Sequence, residues 1–232
     1  MIRIKICGVT SPADAEAIAD LGVDAVGFNF YHASPRYLHL ADTPAIIRSL
    51  GPFTAPVGVF VDLTATRIQE IAQTLGLRAV QTYSPEVRGF DFFPAAHVWS
   101  FRVKTAENLS EIGVELRRQS ARETWPAAVL IDSYVAGEMG GTGHRAPWDL
   151  VAAFPRRTRL ILAGGLTPDN VAEAIRQVRP WGVDVASGVE TSPGRKDLGK
   201  VRAFVQAVRG VSAELTDQAS RGSLSPGDNF LE

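Results

Sequence analysis

The sequence predicts an α/β fold, a single-domain (β/α)8 TIM barrel, and three observations predict it. Short apolar or alternating runs recur with helix-period segments between them, about eight times over roughly 210 residues. Each unit averages ~25 residues, whereas a doubly wound sheet usually stops at five or six strands. No Gly/Pro/Ser-rich linker interrupts the series. The domain is therefore drawn from 1 to 210, with 211–232 as a polar tail expected to be poorly ordered.

The first strand, Ile2–Cys7, alternates, so Arg3, Lys5 and Cys7 share one face and Ile2, Ile4 and Ile6 the other. Ser11 suits the N-cap of the following helix, Pro12 its N1 position and Asp14 its positive end. Strand two is Asp24–Phe30, and a polar loop with Ser34, Pro35, Arg36 and Tyr37 leads to a helix opening at Asp42. Pro56–Val61 is continuously apolar, as in a strand covered on both faces, and a helix follows that Gly76 closes. Arg78–Thr82 is a short strand, and about Pro85 to Phe93 a weak helix.

His97–Arg102 alternates again, and Ala106 to Arg122 is helical. Ala127–Ile131 runs straight into Asp132; a Gly140-Gly141-Thr142-Gly143 loop and a short helix from Trp148 to Ala153 come next. Arg159–Ala163 ends in Gly164-Gly165, and Thr167-Pro168-Asp169 is read as the cap of the helix through Val178. The last strand, Gly182–Ala186, runs into Ser187-Gly188, and a final helix ends at Gly210.

Composition narrows the function classes. A formal net charge of -1 without a basic block predicts neither nucleic acid nor a membrane surface as partner. One cysteine in 232 residues leaves no internal disulfide and no multi-cysteine metal site. No apolar run approaches the ~20 residues that span a bilayer, and the chain enters a strand pattern at once, so a cytoplasmic protein is expected. Whether it is a monomer or a homodimer is not legible.

In such barrels chemistry sits at the C-terminal ends of the strands. Glycine turns after strands seven and eight are where a phosphate is commonly held by backbone N–H groups, which makes Gly164, Gly165, Ser187 and Gly188 the candidate phosphate site. Asp132, at a strand end, is either a helix cap or an acid. Cys7 is either a small core residue or a nucleophile or base, which Lys5 on the same face favours if the side chains meet. Arg36 is either a solvated charge or a two-point clamp for a carboxylate. The Gly140–Gly143 run lacks the Lys-Ser/Thr of a P-loop, and no metal set appears. An acid and a base without a cofactor suit proton-transfer isomerisation of a small phosphorylated substrate.

Several segments resemble one family in order along residues 2 to about 209, that of phosphoribosylanthranilate isomerase. They are Lys5–Thr10, Gly27–Tyr31 with Ser34–Tyr37, Gly58–Val61, Gly140–Gly143, Ala163–Val171, and Val183–Glu190 with Pro193–Asp197. The resemblance implies conversion of N-(5′-phosphoribosyl)anthranilate to 1-(2-carboxyphenylamino)-1-deoxyribulose 5-phosphate in tryptophan biosynthesis. It implies Asp132 as general acid, Cys7 as thiolate base, and Lys5, Arg36, Gln81 and Asp184 against the substrate. Two departures stand out. Tyr83 replaces a histidine the family usually has, and Ala146-Pro147-Trp148 replaces an aromatic-acidic-Trp segment. A related barrel isomerase of histidine synthesis usually has an aspartate where this chain has Cys7. A barrel that binds a phosphorylated ligand without turnover is the non-enzymatic alternative.

Overall fold

The computed structural model describes residues 1–103, 105–120, 125–132, 148–154 and 158–222. Eight parallel strands close into one barrel in sequence order: β1 (Arg3–Cys7), β2 (Ala25–Asn29), β3 (Ala55–Phe60), β4 (Ala79–Thr82), β5 (Ala96–Arg102), β6 (Ala128–Asp132), β7 (Leu160–Ala163) and β8 (Gly182–Val185). Closure is made by β8 pairing with β1, with Arg3 opposite Gly182 and Ile6 opposite Val185. Among the described residues seven α-helices lie between or after the strands: α1 (Pro12–Asp20), α2 (Thr43–Arg48), α3 (Ala65–Leu75), α4 (Ala106–Ser120), α5 (Trp148–Ala152), α6 (Val171–Val178) and α7 (Leu198–Gly222). A small hairpin, β9 (Glu190–Ser192) with β10 (Arg195–Lys196), sits between β8 and α7.

The alternation read in β1 sorts its side chains as expected. Ile4 and Ile6 are buried in the large cluster between sheet and helices, whereas Lys5 faces the barrel interior and meets Asp184 of β8 there. A second, smaller apolar cluster of Val98, Ala128, Leu130, Ile161 and Ala163 fills part of that interior. Ser11 caps α1 by accepting from the Asp14 N–H, and Gly76 closes α3 at φ 62°.

Three local expectations are corrected. Only Pro85–Val87 is helical here, as a single 3-10 turn, so β4 and β5 are joined without an α-helix. Gly89 and Pro94 bracket three phenylalanines with no helical period, and Phe92 is instead buried against the His97 ring. The final helix does not stop at Gly210 but runs to Gly222, because Val211 is buried and Ser212 accepts from the Ile2 N–H at the start of the chain. Of the tail expected at 211–232, the part through 222 is thus helical, and 223–232 lie outside the described residues. Lastly, α6 starts at Val171, after a turn over 168–170. Asn170 folds its amide back, accepting from the Thr167 N–H at 2.8 Å and donating to the Gly165 carbonyl at 2.9 Å, so it braces the glycine turn.

Among the described residues no helix is long and apolar enough to cross a membrane, and no cluster of three or more metal-ligating side chains occurs.

Candidate active site

Two cavities open at opposite ends of the barrel. One of about 370 Å³ at the N-terminal end is walled by alanines and valines, and its Arg3 and Asp24 are already ion-paired with each other. The other, about 540 Å³ at the C-terminal end, falls in the size range of small-molecule sites and gathers the chemistry-bearing residues. Cys7, Arg36, Gln81, Asp132, Gly164, Gly165, Asp184, Ser187 and Gly188 all line it. Lys5 lies one layer below, joined to it through Asp184. The ten candidate site residues are therefore brought to one place; the Gly140–Gly143 loop and Ala146-Pro147 lie outside the described residues.

Strand parity explains the convergence. Cys7 ends β1, Asp132 ends β6, and Arg102 ends β5 directly opposite Asp132 in the ladder. Gly27 on β2 has no side chain, and the space where a Cβ would stand holds Cys7 Sγ at 2.8 Å and Lys5 Nζ at 3.0 Å. The thiol and the ammonium thus share a niche that only glycine leaves open.

The electrostatics correct one expectation. Lys5 does meet the cysteine, since its Nζ and the thiol Sγ close on the same point over Gly27. Yet burial pushes the thiol above its usual range, and Asp184 adds to this, while Lys5 and Lys196 pull the other way without prevailing. The resting side chain is a thiol. The Lys5 ammonium is itself held above its ordinary value: burial opposes it, but Asp184 and Cys7 win.

Arg36 reaches the cavity mouth, but its two-donor edge is already used. Nε donates to Glu190 Oε1 at 2.8 Å and Nη2 to Oε2 at 2.6 Å. The two-point clamp expected for a ligand carboxylate is made within the protein, so Arg36 lines the cavity with that edge already occupied. Tyr83 stands where a histidine was expected. Burial and the nearby carboxylates of Asp132 and Asp184 raise its phenol far above the ordinary value, so it remains an O–H donor.

In the turn after β7, Gly164 and Gly165 adopt φ of 91° and 63°, a left-handed region that glycine enters without strain. Ser187–Val189 forms a single 3-10 turn after β8. A Cβ on Gly188 would stand 1.9 Å from the Leu166 carbonyl oxygen, so the two turns touch through backbone alone.

Sequence reasoning missed Arg102, Glu190 and Lys196. Arg102 carries a signal, since it ends its strand with the inward parity of Val98 and lines the cavity beside Asp132 with its guanidinium over Tyr83. Glu190 and Lys196 lie inside quoted motif segments, but nothing in the linear spacing pairs Glu190 with Arg36, 154 residues away.

Comparison with known proteins agrees with this geometry. The family model described as "PRAI: N-(5'phosphoribosyl)anthranilate (PRA) isomerase" matches residues 4–207. The N-(5'-phosphoribosyl)anthranilate isomerase of Trichlorobacter lovleyi is 41% identical over 208 residues, which are 89% of this chain and 97% of that protein. Among solved structures, the phosphoribosyl anthranilate isomerase of Thermotoga maritima superposes with a TM-score of 0.78 at 36% identity, covering 90% of this chain and all of that one. A phosphoribosyl anthranilate isomerase in complex with reduced 1-(o-carboxyphenylamino)-1-deoxyribulose 5-phosphate superposes at 0.76 with 34% identity, again over 90% of this chain and 100% of the other.

Proposed function

This chain belongs to the N-(5'-phosphoribosyl)anthranilate isomerase family, and from that premise we propose how its residues divide the work of the isomerisation. The reaction turns N-(5′-phosphoribosyl)anthranilate into 1-(2-carboxyphenylamino)-1-deoxyribulose 5-phosphate, a step of tryptophan biosynthesis. One observation carries the assignment. A strand-end carboxyl on β6, a strand-end thiol on β1 and the glycine turns after β7 and β8 all line one cavity.

The turns at Gly164-Gly165 and Ser187-Gly188 hold the 5′-phosphate through backbone N–H groups and the Ser187 hydroxyl. This fixes the ribose between β1 and β6. Asp132 delivers a proton to the ring oxygen as the C1′–O bond breaks, leaving a protonated Schiff base between C1′ and the anthranilate nitrogen. Cys7, as thiolate, removes the proton on C2′, and the electron pair of that C–H bond moves toward C1′ to give the enolamine. Loss of the O2′ proton and gain of one at C1′ completes the aminoketone.

Forming the thiolate is uphill, because burial raises the thiol. Lys5, held protonated beside the sulfur, supplies the charge that offsets its cost. Asp184 keeps Lys5 aimed at that position. Gln81, buried and lining the same cavity, contacts the sugar. Arg36, with Arg102, makes the anthranilate side of the mouth cationic.

The experiment is a fluorescence assay of anthranilate consumption with fresh substrate. Cys7→Ala and Asp132→Asn should each abolish turnover while the protein still binds the reduced product analogue. Near-wild-type rates in either variant would sink the acid–base assignment. Absence of any signal change with the unaltered chain would leave the binding-protein reading in its place.

A further inference from the structure

The β9–β10 hairpin contributes no group to the cavity wall, yet it carries one of the most heavily bonded side chains near it. Lys196 Nζ, on a side chain with no exposed surface, donates to the Cys7 carbonyl at 2.6 Å, to the Ala186 carbonyl at 3.2 Å and to Glu190 Oε1 at 2.8 Å. An ammonium has three donors, and here all three are used. The β1–β8 ladder ends at Ile6–Val185, so the Cys7 and Ala186 carbonyls lie just past its last pair. Lys196 bridges them where the ladder stops.

The same hairpin sets Glu190 opposite Lys196, and Glu190 grips the Arg36 guanidinium with both oxygens. Burial opposes ionisation of the Glu190 carboxyl, but the two cations hold it below the usual carboxylate range. The hairpin is seated on the first turn of the barrel: Thr10 Oγ1 donates to the Gly194 carbonyl at 2.7 Å, and the Lys196 N–H to Asp14 Oδ2 at 3.4 Å.

We propose that Lys196 is a positioning residue for the isomerisation: it pins the main chain of Cys7 to that of the phosphate turn at Ala186 and, through Glu190, sets the place of Arg36. The inference rests on the reading of Cys7 as the base. One ammonium then fixes the spacing between the base, the phosphate grip and the cation at the anthranilate side, so displacing it misplaces the sulfur relative to C2′ without removing any substrate contact. Arginine does not substitute, because its planar fork cannot converge three donors on one point.

The test uses the full chain with Lys196→Met and Lys196→Arg, each assayed for kcat and KM across pH, for binding of the reduced product analogue, and for Tm. Both variants should lose about 10- to 100-fold in kcat, the cost of a misplaced reacting group, with analogue affinity held within about threefold. The rise of kcat/KM with pH should move to higher pH in Lys196→Met. The charged or titratable groups acting on Cys7 are Lys5, Asp184, Arg36, Tyr83 and Lys196, and only the last is changed. A purely structural role predicts a lowered Tm with kcat and the pH profile intact below it, and that result overturns the proposal. If Lys196→Met does not fold, Lys196→Gln takes its place, since it keeps a donor at this position and leaves the Glu190–Arg36 ion pair intact; the same loss of kcat is expected, and wild-type kcat overturns the proposal. Cys7→Ala run in parallel separates the two readings. If it turns over, the base assignment fails; if it is inert while Lys196→Met is fully active, the present inference alone fails.

Discussion

Lys5 Nζ donates to Asp184 Oδ1 at 2.9 Å inside the barrel, with the two side chains 8% and 9% exposed. A buried pair of this kind is weak evidence of net stabilisation, but breaking it leaves an uncompensated charge and costs roughly 3–5 kcal/mol. Lys5→Met should therefore lower the unfolding free energy by that order, read from the denaturant midpoint. It should also remove a cation that lowers the Cys7 thiol, so the rise of kcat/KM with pH should move further into the alkaline range and activity near neutrality should fall. The lysine is held above its ordinary value of 10.5, so its contribution to stability is complete below that pH and is lost only as pH rises through the elevated value. A variant whose pH–rate profile overlays the wild type would show that Lys5 does not act on the thiol.

Gly27→Ala should be nearly inactive. The added methyl would stand 2.8 Å from Cys7 Sγ and 3.0 Å from Lys5 Nζ, below any ordinary contact, and the lysine is tied to Asp184. The sulfur has to move, and a displacement of about 1 Å at a reacting group costs on the order of 100-fold in rate. The strand itself tolerates alanine, so Tm should change little. Wild-type kcat in this variant would mean that the position of the sulfur does not limit the reaction.

Tyr83 should behave as a neutral donor, since its phenol stays protonated throughout the working pH range. Tyr83→Phe removes the donor and leaves the ring beneath Arg102, so a loss confined to this variant assigns the effect to the O–H. Tyr83→His should be tolerated or should raise the rate, measured by kcat/KM in the anthranilate assay. Complete loss in Tyr83→His would mean that the tyrosine has acquired a role of its own.

Legibility in the sequence followed the range of the interaction. Alternation in Ile2–Cys7 and the apolar run Pro56–Val61 are set by local burial, and both became barrel strands. The turn glycines at 164–165 and the strand-end Asp132 were legible because a barrel fixes which end of each strand faces the site. Gly210 misled because a helix end depends on what lies beyond it: here Val211 packs against the core and Ser212 caps the chain start, neither visible in a local window. The bond between Arg36 and Glu190, like that between Lys196 and Cys7, joins distant segments, and their spacing carries no trace of it. The sign of the Cys7 shift was equally hidden, because the depth of burial that decides it belongs to the assembled barrel.

Stability in acid should depend on His97. His97 sits half-enclosed between β4 and the Phe92 and Trp99 rings, with Trp99 Nε1 donating to its Nδ1 at 3.1 Å and Thr82 Oγ1 2.8 Å from its Nε2. Protonating Nδ1 would set an N–H against the indole N–H. Burial, with the nearby Arg88 charge, depresses the imidazole from 6.5 to about 4 despite support from the Phe90 backbone. The unfolded chain therefore binds a proton before the folded one does. The stability this group contributes is present above pH 6.5 and is lost as pH falls through about 4, a total of up to about 3 kcal/mol. Denaturation curves between pH 7 and 4 should show that decline in the wild type and a smaller one in His97→Gln. Equal slopes would assign the acid sensitivity to other groups. Because Thr82 adjoins Tyr83 at the end of β4, protonation of His97 should also loosen that edge of the cavity, seen as a rise in KM at acid pH that His97→Gln does not share.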